Sequence, residues 1–308
     1  MHAVQGGTLL DVSMEVITLG VAAGPALRST EGGICTAIVV DGAHYLVDFG
    51  LGCTRAAHTA GLRGKDLRAA FITHLHSDHV GELPAYLLWN WGTPVDGFTS
   101  PIAIHGPAVA PALMANGVPL HGTAGLVRAT LEGFSYDIAV READEARPAL
   151  RGLIAAREIP TPGKDPTPVE VYRDDRVAVT AVLVDHPPVF PAYAFRFDTA
   201  DRSVTVSGDT TESPALAALA EDTDLLVHEA VALDYYLRGG FDPVFVRHQA
   251  RSHTPPQGAG RVAAKAGARH LVLSHLAGVA PPEYWRVEAA KTYDGPITVA
   301  TSGMRFRV

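Results

Sequence analysis

The chain has 308 residues, 47% apolar and 19% charged, with 25 Lys+Arg against 33 Asp+Glu. This excludes disordered and low-complexity classes, and a net charge of −8 disfavours a large nucleic-acid surface, because neutralising phosphates takes clustered cations. Two cysteines, Cys35 and Cys53, cannot build a disulfide framework, and no apolar run reaches the ~18–20 residues of a membrane span, so a cytoplasmic protein with no membrane partner is expected.

Residues 1–13 read as an N-terminal extension, and strand-like patterning begins at Met14. Three early strands follow, from Met14 to Leu19, Ile34 to Val40 and Tyr45 to Asp48, each closed by Gly or Asp. Ala69 to Thr73 is a fourth, and Asp78 to Leu83 has the look of a helix start. Later strands are expected at Val177 to Val184, Ala192 to Phe197, Ser203 to Val206, Leu225 to His228 and Leu271 to Leu273. Helical patterns open near prolines at about Pro214, Pro256 and Pro281, as a first-turn proline allows, and closing strands are expected at Ile297 to Thr301 and Met304 to Val308. The stretch near 132–168 is rich in proline and charge and reads as a lid-like insertion within a single domain spanning 14–308. Strand-dominated halves with helices outside suggest an α/β layered sandwich.

The count of 14 histidines decides nothing, but their positions do. Thr73-His74-Leu75-His76-Ser77-Asp78-His79 follows directly on a strand. His74 and His76 are two apart, so an extended segment puts both imidazoles on one side. Asp78 and His79 fall at the turn into a helix and can point back at the same space. Four metal-competent side chains so close together exceed what one ion needs, and two metals are the economical reading. Downstream, His186, Asp209 and His275 each end or follow a predicted strand, where loops collect functional groups.

Together, His74-Leu75-His76-Ser77-Asp78-His79, His186, Ser207-Gly208-Asp209-Thr210 and Leu273-Ser274-His275 resemble the metallo-β-lactamase-fold hydrolases, most closely the branch of ribonuclease Z and its arylsulfatase- and phosphodiesterase-like relatives. The resemblance runs from about Met14 to the C-terminus. It implies a four-layer αββα sandwich of two mixed β-sheets flanked by helices. It also implies one metal on His74, His76 and His186, a second on Asp78, His79 and His275, and Asp209 bridging them. The metals implied are divalent, zinc first, with manganese and iron as alternatives. His228-Glu229-Ala230 and Ser252-His253-Thr254 resemble two further elements of the ribonuclease Z branch, implying a general-acid His253 oriented by Glu229, with His248 as the neighbouring alternative. Asp48, in Val47-Asp48-Phe49-Gly50, would hydrogen-bond the histidine loop without binding metal, and His228 would stand beside the ligands. Asp78 is counted with His253 and Glu229 among the catalytic residues. His44, His58, His105, His121 and His270 read as structural.

Two departures shape the substrate expectation. Ribonuclease Z enzymes with a tRNA-gripping arm carry it between the positions matching His186 and Asp209, where this chain has only residues 187–208. Trp89, Trp91, Tyr235, Phe241 and Phe245 could floor an apolar pocket, with Tyr235 to Arg251 as an insertion beside the site. The expectation is a binuclear hydrolase of small esters, phosphodiester or sulfate ester, attacking through metal-activated water, with a small-molecule substrate, nucleic acid disfavoured and a homodimer allowed. A ribonuclease Z-like tRNA 3′-endonuclease and a lactone or carboxylic ester hydrolase are the alternatives.

Overall fold

A computed structural model describes residues 13–109, 114–115, 118–161 and 166–308. The expected extension therefore lies outside the described residues apart from Ser13.

The first sheet has seven strands in the order β16-β1-β2-β3-β4-β5-β8, where β1 is Met14–Gly20, β2 Cys35–Val40, β3 Ala43–Val47, β4 Leu67–Phe71, β5 Ile102–Pro107, β8 Ile154–Ile159 and β16 Met304–Arg307. The second runs β15-β14-β13-β12-β11-β10-β9, with β9 Val169–Arg173, β10 Ala178–Leu183, β11 Tyr193–Asp198, β12 Ser203–Val206, β13 Leu225–Val231, β14 Leu271–Ala277 and β15 Ile297–Val299. β6 (Met114–Ala115) and β7 (Val118–Pro119) pair antiparallel as a separate two-stranded sheet. Both sheets are mixed: β3, β4, β5 and β8 run parallel, as do β12 to β15, while the remaining pairs are antiparallel. Parallel strands need crossovers, and helices supply them on the outer faces.

Strand alternation explains the layers. Tyr45, Phe71, Phe195, Phe197 and Val227 face inward between the sheets, where Phe71 and Phe197 pack edge to face with centroids 5.2 Å apart. The opposite face of the first sheet, with Leu46, Ala70 and Ile104, packs under α1 (Cys53–Thr59), α3 (Leu83–Trp89) and α4 (Thr123–Gly133). The outer face of the second, with Leu226, Ala230 and Leu273, packs under α7 (Pro214–Leu219), α10 (Pro256–Ala266) and α11 (Pro282–Ala289). Helix, sheet, sheet, helix is the expected four-layer sandwich.

The lid-like insertion is corrected. Its described part, 132–161 and 166–168, ends α4, forms α5 (Ser135–Asp144) and α6 (Leu150–Leu153), and then β8, which pairs parallel with β5 from Ile102↔Ile154 to Pro107↔Ile159. The stretch reads as irregular because α5 buries only Ile138 and is otherwise laced by surface ion pairs, Arg141 to Asp137 and to Glu145. Among the described residues no helix is long and apolar enough to cross a membrane.

Candidate metal centre and active site

The parallel strands of both sheets end on one rim, and the chemistry-bearing side chains gather there. At the end of β3, Asp48 sits at φ 65, in the left-handed region. Its carboxylate accepts the backbone N–H and hydroxyl of Thr73, both at 2.8 Å, and meets His79 Nδ1 at 2.7 Å. With Nδ1 of His79 spent on Asp48, Nε2 turns inward. The loop after β4 presents His74 and His76, and α2 (Ser77–Val80) carries Asp78 and His79. Opposite, His186 follows β10, and its Nδ1 donates to the Ser252 carbonyl at 2.8 Å, which again frees Nε2. Asp209 follows β12 through Gly208 at φ 59, where an added Cβ would lie 2.7 Å from the Tyr193 carbonyl oxygen. His275 lies at a bulge in β14: Glu229 pairs with Ser274 and Ala230 with Leu276, so His275 is extra and sits at φ 42. A bulge re-aims a side chain, and this one aims an imidazole at Asp209.

The ligand atoms of His74, His76, His186 and Asp209 all lie within 4.8 Å of one another, and so do those of Asp78, His79 and His275. Asp209 divides between the two groups. Its Oδ2 is 3.9 Å from Nε2 of both His74 and His186, while its Oδ1 is 3.4 Å from His79 Nε2 and 3.3 Å from His275 Nε2. Asp78 Oδ2 completes the second group, 3.6 Å from His79 and 3.5 Å from His275.

Electrostatics and unmet valences agree with this geometry. Burial would raise the Asp209 carboxyl, but the imidazoles of His275, His79 and His74 overrule it and hold it well below the usual carboxylate range. Asp78 is likewise held low, by His275 and His79 against burial. Burial pushes His74 down and His186 down to about 4, so both are neutral donors near pH 7. Asp209 Oδ1 is buried without a hydrogen-bond partner among the described residues. A buried, ionised, unpartnered oxygen facing two imidazole nitrogens is costly unless a cation lies between them. The donor set, neutral imidazoles with carboxylates, suits zinc and similar borderline ions. The residues fit divalent metal.

His253, just past the end of α9 (Pro243–Ser252), places Nδ1 3.0 Å from Glu229 Oε1 and 3.9 Å from Asp209 Oδ2. Burial alone would lower its pKa, but Glu229 and Asp209 outweigh it and push it up to about 9. The same Glu229 oxygen accepts the N–H groups of Thr210 at 3.0 Å and Thr254 at 3.3 Å, and the Thr254 hydroxyl donates to the Thr210 carbonyl. One carboxylate thus ties the Asp209 loop to the His253 loop. Thr73, Thr210 and Thr254 escaped the sequence reading, although each is a direct neighbour of a singled-out residue. Asp209, His253 and His275 also form a third close group, which makes His253 a ligand-competent neighbour.

Other expectations fare differently. Alternation along β13 puts His228 with Leu226 and Ala230 on the helix-facing side, while Glu229 faces the site with Val227. The His228 Nδ1 is spent on the Glu229 carbonyl at 2.7 Å, and its ring borders a small cavity that Asp48, His79, Asp209 and His275 also line. A cavity of about 760 Å³ opens over Asp78, Asp209, His253 and His275, walled by Tyr235, Tyr236, Phe241 and Phe245. Trp89 and Trp91 do not line it: Trp89 is a surface residue, 68% exposed, and Trp91 is fully buried with its indole N–H donating to the Pro148 carbonyl at 2.9 Å. The expected insertion, Tyr235 to Arg251, is α8 (Leu233–Arg238) and α9, which form one wall of the cavity.

Comparison with known proteins bears on this geometry. Residues 30–260 match the family described as the metallo-beta-lactamase superfamily. Ribonuclease Z of Mycobacterium bovis is 30% identical over 306 residues, covering 96% of this chain and 98% of its own length. Among solved structures, the metallo-β-lactamase fold protein YhfI from Bacillus subtilis matches with a TM-score of 0.66 at 19% identity, over 96% of this chain and 100% of its own. The short form of human tRNase Z matches with a TM-score of 0.65 at 21% identity, over 95% and 98%.

These relatives overturn the expected small-ester substrate and the exclusion of nucleic acid. The M. bovis protein is matched almost end to end, so it is about as long as this chain and has no room for a long additional arm. The short 187–208 segment therefore does not argue against RNA. Nor does the net charge, which averages over a surface of which a strand touches only a part. The chain belongs to the metallo-β-lactamase superfamily and is a metal-dependent hydrolase of that fold.

Proposed function

We propose that the protein is a ribonuclease Z-like phosphodiesterase that removes 3′ trailers from precursor tRNA. One observation carries the reading: a buried carboxylate, Asp209, is shared between two imidazole clusters and lies 3.9 Å from a histidine held by Glu229. The end-to-end likeness to proteins named ribonuclease Z supports the substrate.

His74, His76 and His186 would hold one divalent cation, Asp78, His79 and His275 the other, and Asp209 both, with zinc first and manganese or iron as alternatives. When bound, such cations supply positive charge for the scissile phosphate and acidify a water. The chain's own residues do the rest. Asp48 and the Ser252 carbonyl fix the tautomers of His79 and His186. Glu229 occupies His253 Nδ1 and favours the protonated imidazole, leaving Nε2 to give a proton to the departing ribose oxygen. Tyr235, Tyr236, Phe241 and Phe245 give one side of the cavity an aromatic wall.

The test is cleavage of a precursor tRNA with a 3′ trailer by protein of measured metal content, products being sized and their ends determined. A single cut near the trailer junction and about two metal equivalents per chain are expected. An intact precursor at low salt, with metals bound, overturns the substrate; protein that takes up no zinc, manganese or iron overturns the centre.

A further inference from the structure

The α8–α9 hairpin carries more aromatic surface than its own packing uses. Tyr235, Tyr236, Phe241 and Phe245 touch in a closed set, with centroids 5.1 Å apart for Tyr235–Tyr236, 5.2 Å for Tyr236–Phe241 and 5.6 Å for Tyr236–Phe245. Tyr236 and Phe241 are half-buried and hold the hairpin together. Tyr235 and Phe245 are 38% and 42% exposed, yet both line the cavity that contains Asp209. The set does not stop at the hairpin. Phe245 lies 6.4 Å from His248, and His248 lies 6.0 Å from His253, so rings follow one another from the surface to the centre.

We propose that this face, with Tyr235 and Phe245 as its open rings, is a stacking platform for unpaired bases of the RNA strand beside the scissile phosphodiester. The inference rests on the RNA reading above and specifies which part of the substrate the wall holds. Every base has a π-face, so exposed rings bind single strands with little sequence preference. A double-stranded stem, whose bases are already stacked, gains nothing from such rings. The platform therefore takes the trailer.

The test pairs Phe245→Ala with a trailer in which the nucleotides next to the junction are abasic. On the ordinary precursor, Phe245→Ala should raise KM about tenfold, the loss of one stacked base, with kcat kept, and Phe245→Tyr should restore it. On the abasic precursor the wild type should already show that loss, and the substitution should add nothing. Equal cost on both precursors, or no cost on either, overturns the platform while leaving tRNA cleavage standing. If the wild type cuts no precursor, 2-aminopurine in a short single-stranded RNA still decides: quenching on binding that is lost in Phe245→Ala supports the platform, and no quenching overturns it.

Discussion

The two sheets contribute to the site in opposite ways. The first supplies a dense local block, His74, His76, Asp78 and His79 within one loop and the first turn of α2, braced by Asp48 from the neighbouring strand. The second supplies single residues far apart in sequence, His186, Asp209, Glu229, His253 and His275, brought together because β10, β12, β13 and β14 end on the same rim. The first half is a motif and the second a consequence of topology. A local block tolerates a change at one member better than a dispersed set tolerates loss of the residue at its centre, and Asp209 is that residue.

Asp209→Ala should therefore have the largest effect. Losing the one carboxylate shared by both clusters should cut phosphodiester cleavage by at least ~10⁴, several kcal/mol at 1.36 kcal/mol per tenfold, and lower metal content at both positions. His76→Ala should lower it at one. Elemental analysis beside turnover reads the difference; equal partial metal loss in both variants breaks the comparison. Next comes His253→Ala, which should leave both metals bound and slow substrates with strongly basic leaving oxygens by ~10²–10³, while a nitrophenolate leaving group, needing little protonation, should suffer much less. If the metals leave first, His253 acts as a ligand in the third close group.

Legibility followed the same division. The histidine block could be read from spacing alone, because two-residue alternation followed by a helix start forces its side chains together. Asp209, Glu229 and His275 carried no such local signal; each had an ordinary turn or strand reading until the motif combination joined them. The bulge that aims His275 is a property of the β13–β14 register and cannot be read from Leu273-Ser274-His275. Trp91 was taken for a pocket wall because nothing nearby in sequence reveals its partner, the Pro148 carbonyl. The short helices α8 and α9 were read as an insertion because Gly239, Gly240 and Pro243 interrupt any helical period. The tRNA endonuclease stands only as the alternative in the sequence because a net charge of −8 says nothing of how charge is distributed over the surface.

A smaller effect tests the bracing of the first half. Asp48→Asn keeps the side-chain shape and tolerates φ 65, but it removes the charge that turns His79 inward. Metal affinity should fall ~10–100-fold at the cluster of Asp78, His79 and His275 and little at the other. Titration with a competing chelator measures this, and equal weakening at both clusters would mean that Asp48 supports the loop as a whole.

The smallest effect concerns histidines of the first sheet that serve no metal. His44 in β3 is fully buried, with Nε2 3.3 Å from the Tyr86 hydroxyl and Nδ1 unpartnered among the described residues. His105 in β5 stacks on Phe71 at 5.3 Å, with Nε2 unpartnered. Burial pushes each pKa down to about 4, with Arg157 adding to the effect at His105. Because the folded values lie below the unfolded one near 6.5, the unfolded chain binds the extra protons between those limits, so stability is complete above about pH 6.5 and falls as pH drops toward 4. At pH 5 each residue should cost about 2 kcal/mol relative to pH 7. Denaturant unfolding of the wild type and of His44→Leu and His105→Phe at the two pH values isolates the term, since the metal-facing histidines titrate in all three proteins. Each variant should lose less stability on acidification than the wild type. A wild-type-sized loss in both would place the acid sensitivity in the histidine block at the rim, and the strand-interior histidines would then have no part in it.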